Sequence, residues 1–177
     1  MRTALLAPAA LAAAAALAAC SASPTAQLLN APTLAEHHAE IAGVPTTVRI
    51  VDHPGTPYAG TAAYTSGRCT IAIAEARADD AALIAHEVGH CVDGHHLAWD
   101  HNGWRDGDGC AFGPHYCPAI EGYAEGYARA YTSSCGPRLE PFGLAPGPAA
   151  CTLPEPRAIA PPTGPDPREI IPHLPRP

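Results

Sequence analysis

The chain has 177 residues, a net charge of −7, and ten basic residues that are all arginine. That length suits one domain after processing, and a modestly acidic chain without a basic cluster argues against nucleic acid as a partner. Aromatic residues make up 6%, so the core must be small and rich in alanine, a weakness that disulfides offset.

The chain opens as an export signal. Arg2 supplies the leading charge, and Ala4 to Ala19 is an almost unbroken apolar run, too short for a spanning helix. It ends in Leu17-Ala18-Ala19-Cys20, which resembles a bacterial lipobox. The resemblance implies cleavage before Cys20 and acylation of that cysteine. The mature chain would then sit outside the cytoplasm, anchored to the membrane by lipid instead of a helix. In a two-membrane envelope the anchor would be the outer membrane, since Ser21 after Cys20 does not suggest inner-membrane retention. Residues 1–19 are read as signal peptide, 20–33 as tether, 34–152 as the folded domain and 153–177 as a Pro-rich tail without packed structure. A monomer is expected.

Within the domain, Thr46 to Asp52 alternates and is β-branched, which predicts a strand. His53-Pro54-Gly55-Thr56-Pro57 turns the chain. Cys69 to Ala74 predicts a second strand after a Ser66-Gly67 turn. Asp79 or Asp80 can cap a helix over Ala81 to Asp93, with Gly94 as its stop. Leu97 to Tyr116 reads as a long loop. Within it Asp106-Gly107-Asp108-Gly109 is a tight turn sooner than a calcium loop. Pro118 opens a second helix that runs to Tyr131 and ends before Gly136-Pro137. Strands followed by helices make an α+β domain. With Cys20 set aside, Cys69, Cys91, Cys110, Cys117, Cys135 and Cys151 form an even set, expected to pair as disulfides in an exported chain. The spacing leaves their connectivity open.

The chemistry concentrates on the first helix. His86 and His90 lie four residues apart, which puts both imidazoles on one face, one turn apart, able to share one Zn²⁺. Glu87 stands beside His86, about 100° round the helix, where it reaches a metal-bound water as general base instead of binding the metal. Gly89 costs that helix about 1 kcal/mol relative to alanine, and a close helix crossing would explain it. A catalytic zinc needs a third protein ligand and an open position. Two candidates exist. Glu121 lies on the second helix, sharing a face with Glu125, which can also pair with Arg129. His96 follows His90 by six residues, as in the longer metzincin pattern. That pattern has glycine where Asp93 stands, and the Met-turn it expects is missing, Met1 being the one methionine. On the second helix, Gly122, Gly126 and Ala130 form a small-residue row suited to a close helix approach. Tyr123, Tyr127 and Tyr131 form a packing stripe. Trp99 and Trp104 can wall a cleft or cover the core.

His86-Glu87-Val88-Gly89-His90-Cys91-Val92-Asp93, followed by Glu121-Gly122-Tyr123-Ala124-Glu125, resembles the anthrax-lethal-factor-like zinc peptidases, a branch of the gluzincins. The likeness covers roughly residues 69–133 and rests mainly on these two motifs. It implies a small zincin-like α+β domain, with a short antiparallel or mixed sheet packed on the HExxH helix and a second Glu-bearing helix. It implies one catalytic Zn²⁺ held by His86, His90 and Glu121, with Glu125 supporting a ligand and Asp93 orienting a ligand or tying down the helix end. The substrate would be a peptide or protein, docked as an added strand along Cys69 to Glu75. The family also has a tyrosine upstream of the ligand glutamate that stabilises the oxyanion. Tyr116 occupies that role about two residues too close to Glu121, and His115 is the alternative. The competing reading is a His-rich lipoprotein that binds zinc without catalysis, in which Glu87 would have no task. A degenerate peptidase fold serving as a binding module is a third.

Overall fold

The computed structural model describes residues 24–53 and 59–162. The segment read as signal peptide, the Cys20 read as a lipidation site and the tail beyond residue 162 lie outside them, as does most of the turn expected at 53–57. Helix α1 (Pro24–Leu29) is followed by strands β1 (Thr33–Ile41), β2 (Val44–Val51), β3 (Gly60–Thr65) and β4 (Arg68–Ala74), then by helices α2 (Ala81–Val92) and α3 (Ala119–Cys135). This is a small α+β fold with one mixed four-stranded sheet, in the order β1-β2-β4-β3. The β1–β2 and β3–β4 pairs are antiparallel, and β2 runs parallel to β4. Among the described residues no helix is long and apolar enough to cross a membrane.

Strand alternation sorts the side chains onto two faces. Cys69, Ile71 and Ile73 of β4 and Val44, Val48 and Ile50 of β2 point toward the helices and join Ile84, Ala85 and Val88 of α2 in the main core. Ala72, Ala74 and Val51 point the other way, onto Leu28 and Ala31. Leu28 is fully buried. Residues 24–33 are therefore not the free tether expected there, because α1 covers the second face of the sheet.

Helix α2 starts where Asp80 accepts a hydrogen bond from Leu83 N at 3.0 Å. It does not stop at Gly94. The chain continues as a wider turn over Asp93–Leu97 and is ended by Ala98, whose φ is 50°. Gly94 is small for another reason: a Cβ there would stand 2.7 Å from both the Trp99 and the Tyr64 ring. Asp93 is fully buried. Its carboxylate accepts the His101 amide at 3.0 Å and pairs with His101 Nδ1. It ties down the helix end and the loop after it.

The two helices cross at Gly89, where a Cβ would meet Ala124 Cα at 2.9 Å. The expected close crossing is present, but its partner is Ala124. Gly122 and Gly126 instead receive the Trp104 indole, which would lie 2.9 and 2.8 Å from their added Cβ atoms. Tyr123, Tyr127 and Tyr131 are fully buried and form the packing stripe.

Three disulfides close the structure: Cys69–Cys91 joins β4 to α2, Cys110–Cys117 closes the loop before α3, and Cys135–Cys151 joins the end of α3 to the following segment. That segment is not loose as far as residue 162. Pro156 O accepts from Tyr123 Oη at 3.1 Å, and Ile159 O accepts from Trp104 Nε1 at 3.0 Å.

Gly89→Ala should lower stability by about 1–2 kcal/mol. Overpacking at Ala124 outweighs the gain in helix propensity. Urea unfolding of the oxidised protein would measure it, and a neutral or stabilising result would contradict the crossing described here.

Candidate metal centre

The core stripe of α2 leaves His86 and His90 on the side facing α3. The start of α3 is set by Asp106, whose Oδ1 accepts from Ala119 N at 2.9 Å. Glu121 sits in the first helical turn, where the helix dipole favours a carboxylate. The crossing at Gly89 then brings Glu121 over the two histidines.

His86 Nε2 lies 3.1 Å from Glu121 Oε2, and His90 Nε2 lies 3.6 Å from the same oxygen. One ligand atom from each of the three residues falls within 4.8 Å of the others. Ligands on a tetrahedral ion with bonds of about 2 Å stand about 3.3 Å apart, so the spacing suits a single metal ion, and the group could hold one. Behind it, Glu125 Oε2 is 3.6 Å from His86 Nδ1, while Glu125 Oε1 accepts from Arg129 Nε at 2.8 Å. Glu125 thus both pairs with Arg129 and backs a ligand imidazole.

The electrostatics describe a well for a cation. Burial alone would lower the His86 pKa, but the Glu121 and Glu125 carboxylates outweigh it and raise it to about 9. Burial alone would raise Glu121, but His86 and His90 hold its carboxyl well below the usual range.

Glu87 faces elsewhere. It is buried, and its Oε1 would stand 2.7 Å from a Cβ added at Gly60, so it lies against the backbone of β3. Burial raises its proton affinity, partly offset by His90 and His86. His86, Glu87, His90 and Glu121 line one cleft of about 740 Å³ that runs along α2.

His115 and Tyr116 reach the rim of this cleft on the loop closed by Cys110–Cys117. His115 Nε2 is 3.5 Å from Glu121 Oε2, and the Tyr116 ring is 5.8 Å from that of His86. Burial and then the Glu125 charge raise the Tyr116 phenol pKa. The loop brings Tyr116 to the centre despite its short spacing to Glu121.

Two expected residues stand apart. His96 Nε2 bonds Ala42 O at 2.7 Å, beside the β1–β2 turn, and is not in the ligand group. Asp93 holds His101 and orients no ligand. The strand expected to dock a peptide, Cys69 to Glu75, is mostly β4 and is paired on both sides. Strand β3, unrecognised in the sequence, is the edge beside the cleft. The Ser66-Gly67 turn was the available clue, since two short runs flanking such a turn signal a hairpin. Gly60 was likewise unmarked. No family model, curated protein or solved structure matches the chain.

Replacing Glu121 by alanine should abolish tight metal binding, replacing Glu125 by alanine should weaken it about 10–100-fold, and His96→Ala should leave it unchanged. Competition against a chromophoric chelator would rank the three. Because the metal must displace a proton from His86, affinity should rise with pH up to about 9. Calorimetry in buffers of different ionisation enthalpy should register proton release at pH 7; its absence would contradict a protonated His86.

Proposed function

We propose that this chain is a zinc metallopeptidase of the gluzincin type, anchored outside the cytoplasm through a lipid on Cys20, that hydrolyses peptide bonds of peptide or protein substrates. The observation that carries the reading is the division between two carboxylates in one cleft. Glu121 faces the imidazoles of His86 and His90, while Glu87, one residue from a ligand, lies against the edge strand. Two imidazoles and a carboxylate are a donor set that catalytic zinc uses. A zinc ion held there would acidify a water and polarise the scissile carbonyl.

The chain's own groups supply the rest. Glu87 takes the proton at its carboxylate and delivers it to the leaving amine. Tyr116, or His115 beside it, donates a hydrogen bond toward the developing oxyanion. The outer edge of β3 offers backbone groups to an extended substrate. The lipobox-like Leu17 to Cys20 and the disulfides support an oxidising, extracytoplasmic setting. The metzincin variant is not favoured, because His96 is committed to Ala42 O. A storage or delivery role leaves Glu87 unexplained.

Glu87→Gln should reduce hydrolysis of a peptide library about a thousandfold while the zinc content of the purified protein stays the same. Hydrolysis that survives the change would overturn the mechanism. Gly60→Ala should act on the same group from the other side. The added methyl displaces the Glu87 carboxylate, so kcat should fall at least about tenfold with zinc stoichiometry unchanged. Unaltered kcat would show that the contact with β3 does not position Glu87.

A further inference from the structure

We propose that Trp99 forms a specificity subsite that accepts an apolar, preferentially aromatic, side chain of an extended peptide, about three residues before the cleaved bond. The proposal rests on the peptidase reading above. Among the described residues only Leu34 and Trp99 are large hydrophobics left exposed, at 52% and 43%. Leu34 lies on β1. Trp99 lines the same cleft as Glu87 and His90.

The indole is held where it stands. Its ring packs over Gly94, in space that a Cβ would fill, and meets the Tyr64 ring edge-on at 6.2 Å. The Tyr64 hydroxyl is itself bonded to His95 Nδ1 at 2.9 Å. The backbone beneath is strained: Ala98 and Trp99 have φ of 50° and 66°, a left-handed conformation that non-glycine residues rarely adopt. Strain that leaves a tryptophan half in water, fixed at the wall of a cleft, marks a surface built to meet a ligand.

Position along the cleft follows from the fold. Strand β3 runs beside α2, with Gly60 at Glu87 and Tyr64 at Gly94. Seven helical positions separate Glu87 from Gly94, roughly 10 Å, or about three residues of extended chain. A peptide added antiparallel to β3 has its amino-terminal part at the Tyr64 end. The opposite end of the cleft is polar, lined by the Arg77–Asp80 pair, so the aromatic preference belongs to one side of the reacting bond.

The test is a peptide-library digest by the zinc-loaded full mature chain, with cleavage sites read by mass spectrometry. Wild type should select Phe, Tyr, Trp or Leu about three residues upstream. Trp99→Ala should lose that selection. Its kcat/KM should fall about 10–100-fold for peptides with Phe there and much less for those with Gly. Trp99→Phe should retain most of the preference, and Trp99→Lys should turn it toward Asp and Glu, a gain that misfolding would not produce. Zinc content and melting temperature of each variant are measured alongside. Cleavage with the same preference in Trp99→Ala and Trp99→Lys would overturn the subsite and leave the peptidase reading standing. A preference that responds to Trp99 but lies downstream of the bond would overturn the antiparallel placement. No cleavage by the zinc-loaded wild type would overturn the peptidase reading and the subsite with it.

Discussion

The centre depends on a side chain that is not there. At Gly89 the α2 backbone comes so near Ala124 that a methyl group would stand 2.9 Å from Cα. The crossing lies between His86 and His90 on one helix and three residues from Glu121 on the other. It therefore sets the distance between the two imidazoles and the carboxylate. A glycine inside a helix costs about 1 kcal/mol, and here the close approach of Ala124 leaves no room for a larger residue. The disulfides serve the same end. Cys69–Cys91 fixes α2 to the sheet one residue from His90, and Cys110–Cys117 closes the loop that carries His115 and Tyr116. A small core with few aromatic residues would hold these elements less firmly by packing alone.

Charge follows the same geometry. Glu121, Glu125 and Glu87 lie near His86, and Arg129 pairs with Glu125 on the α3 side. Partial burial strengthens each interaction relative to water. The proton affinity of His86 and the acidity of Glu121 are two views of one attraction between imidazole and carboxylate. Glu87 feels the same imidazoles but differs in direction. It is of the same residue type as Glu121 and adjacent to a ligand, yet its carboxylate lies against β3. Nothing in composition or spacing separates the two glutamates except the motif; in space they face different partners.

The parts that were legible were those whose local pattern matches their environment. The helix over Ala81 onward shows its cap at Asp80 and its buried stripe, and β2 and β4 show β-branched alternation. β1 was missed because Glu36, His37, His38 and Glu40 leave it polar, as suits a strand at the edge of the sheet. β3 carries little strand signal, because Gly60, Ala62 and Ala63 take up half of it and it holds no branched aliphatic residue. α1 and the 153–162 segment carry no local signal of order, because what orders them is distant. One is held by the second sheet face, the other by side chains that donate to its backbone carbonyls. His96 was misleading for a local reason. The metzincin pattern has glycine where Asp93 stands, whereas here the chain stays helical through Leu97 and carries His96 to Ala42 O, away from His86 and His90.

Asp93 joins these threads. Read from the motif, it could orient a ligand or fasten the helix end; in the fold it does the second. Its buried carboxylate takes both the amide and the imidazole of His101, in a stretch where Ala98, Trp99, His101 and Asn102 all have positive φ. Four such residues are costly, and a buried, doubly bonded carboxylate offsets part of that cost. The gain is a helix end that turns at once into the wall of the cleft. Gly94 clears the space, Tyr64 closes it from the edge strand, and Trp99 fills it. Helix α2 thus carries His86 and His90 at its middle and, through Asp93, the shape of one end of the cleft, so that the group able to hold a metal ion and the cleft wall are fixed to a single element.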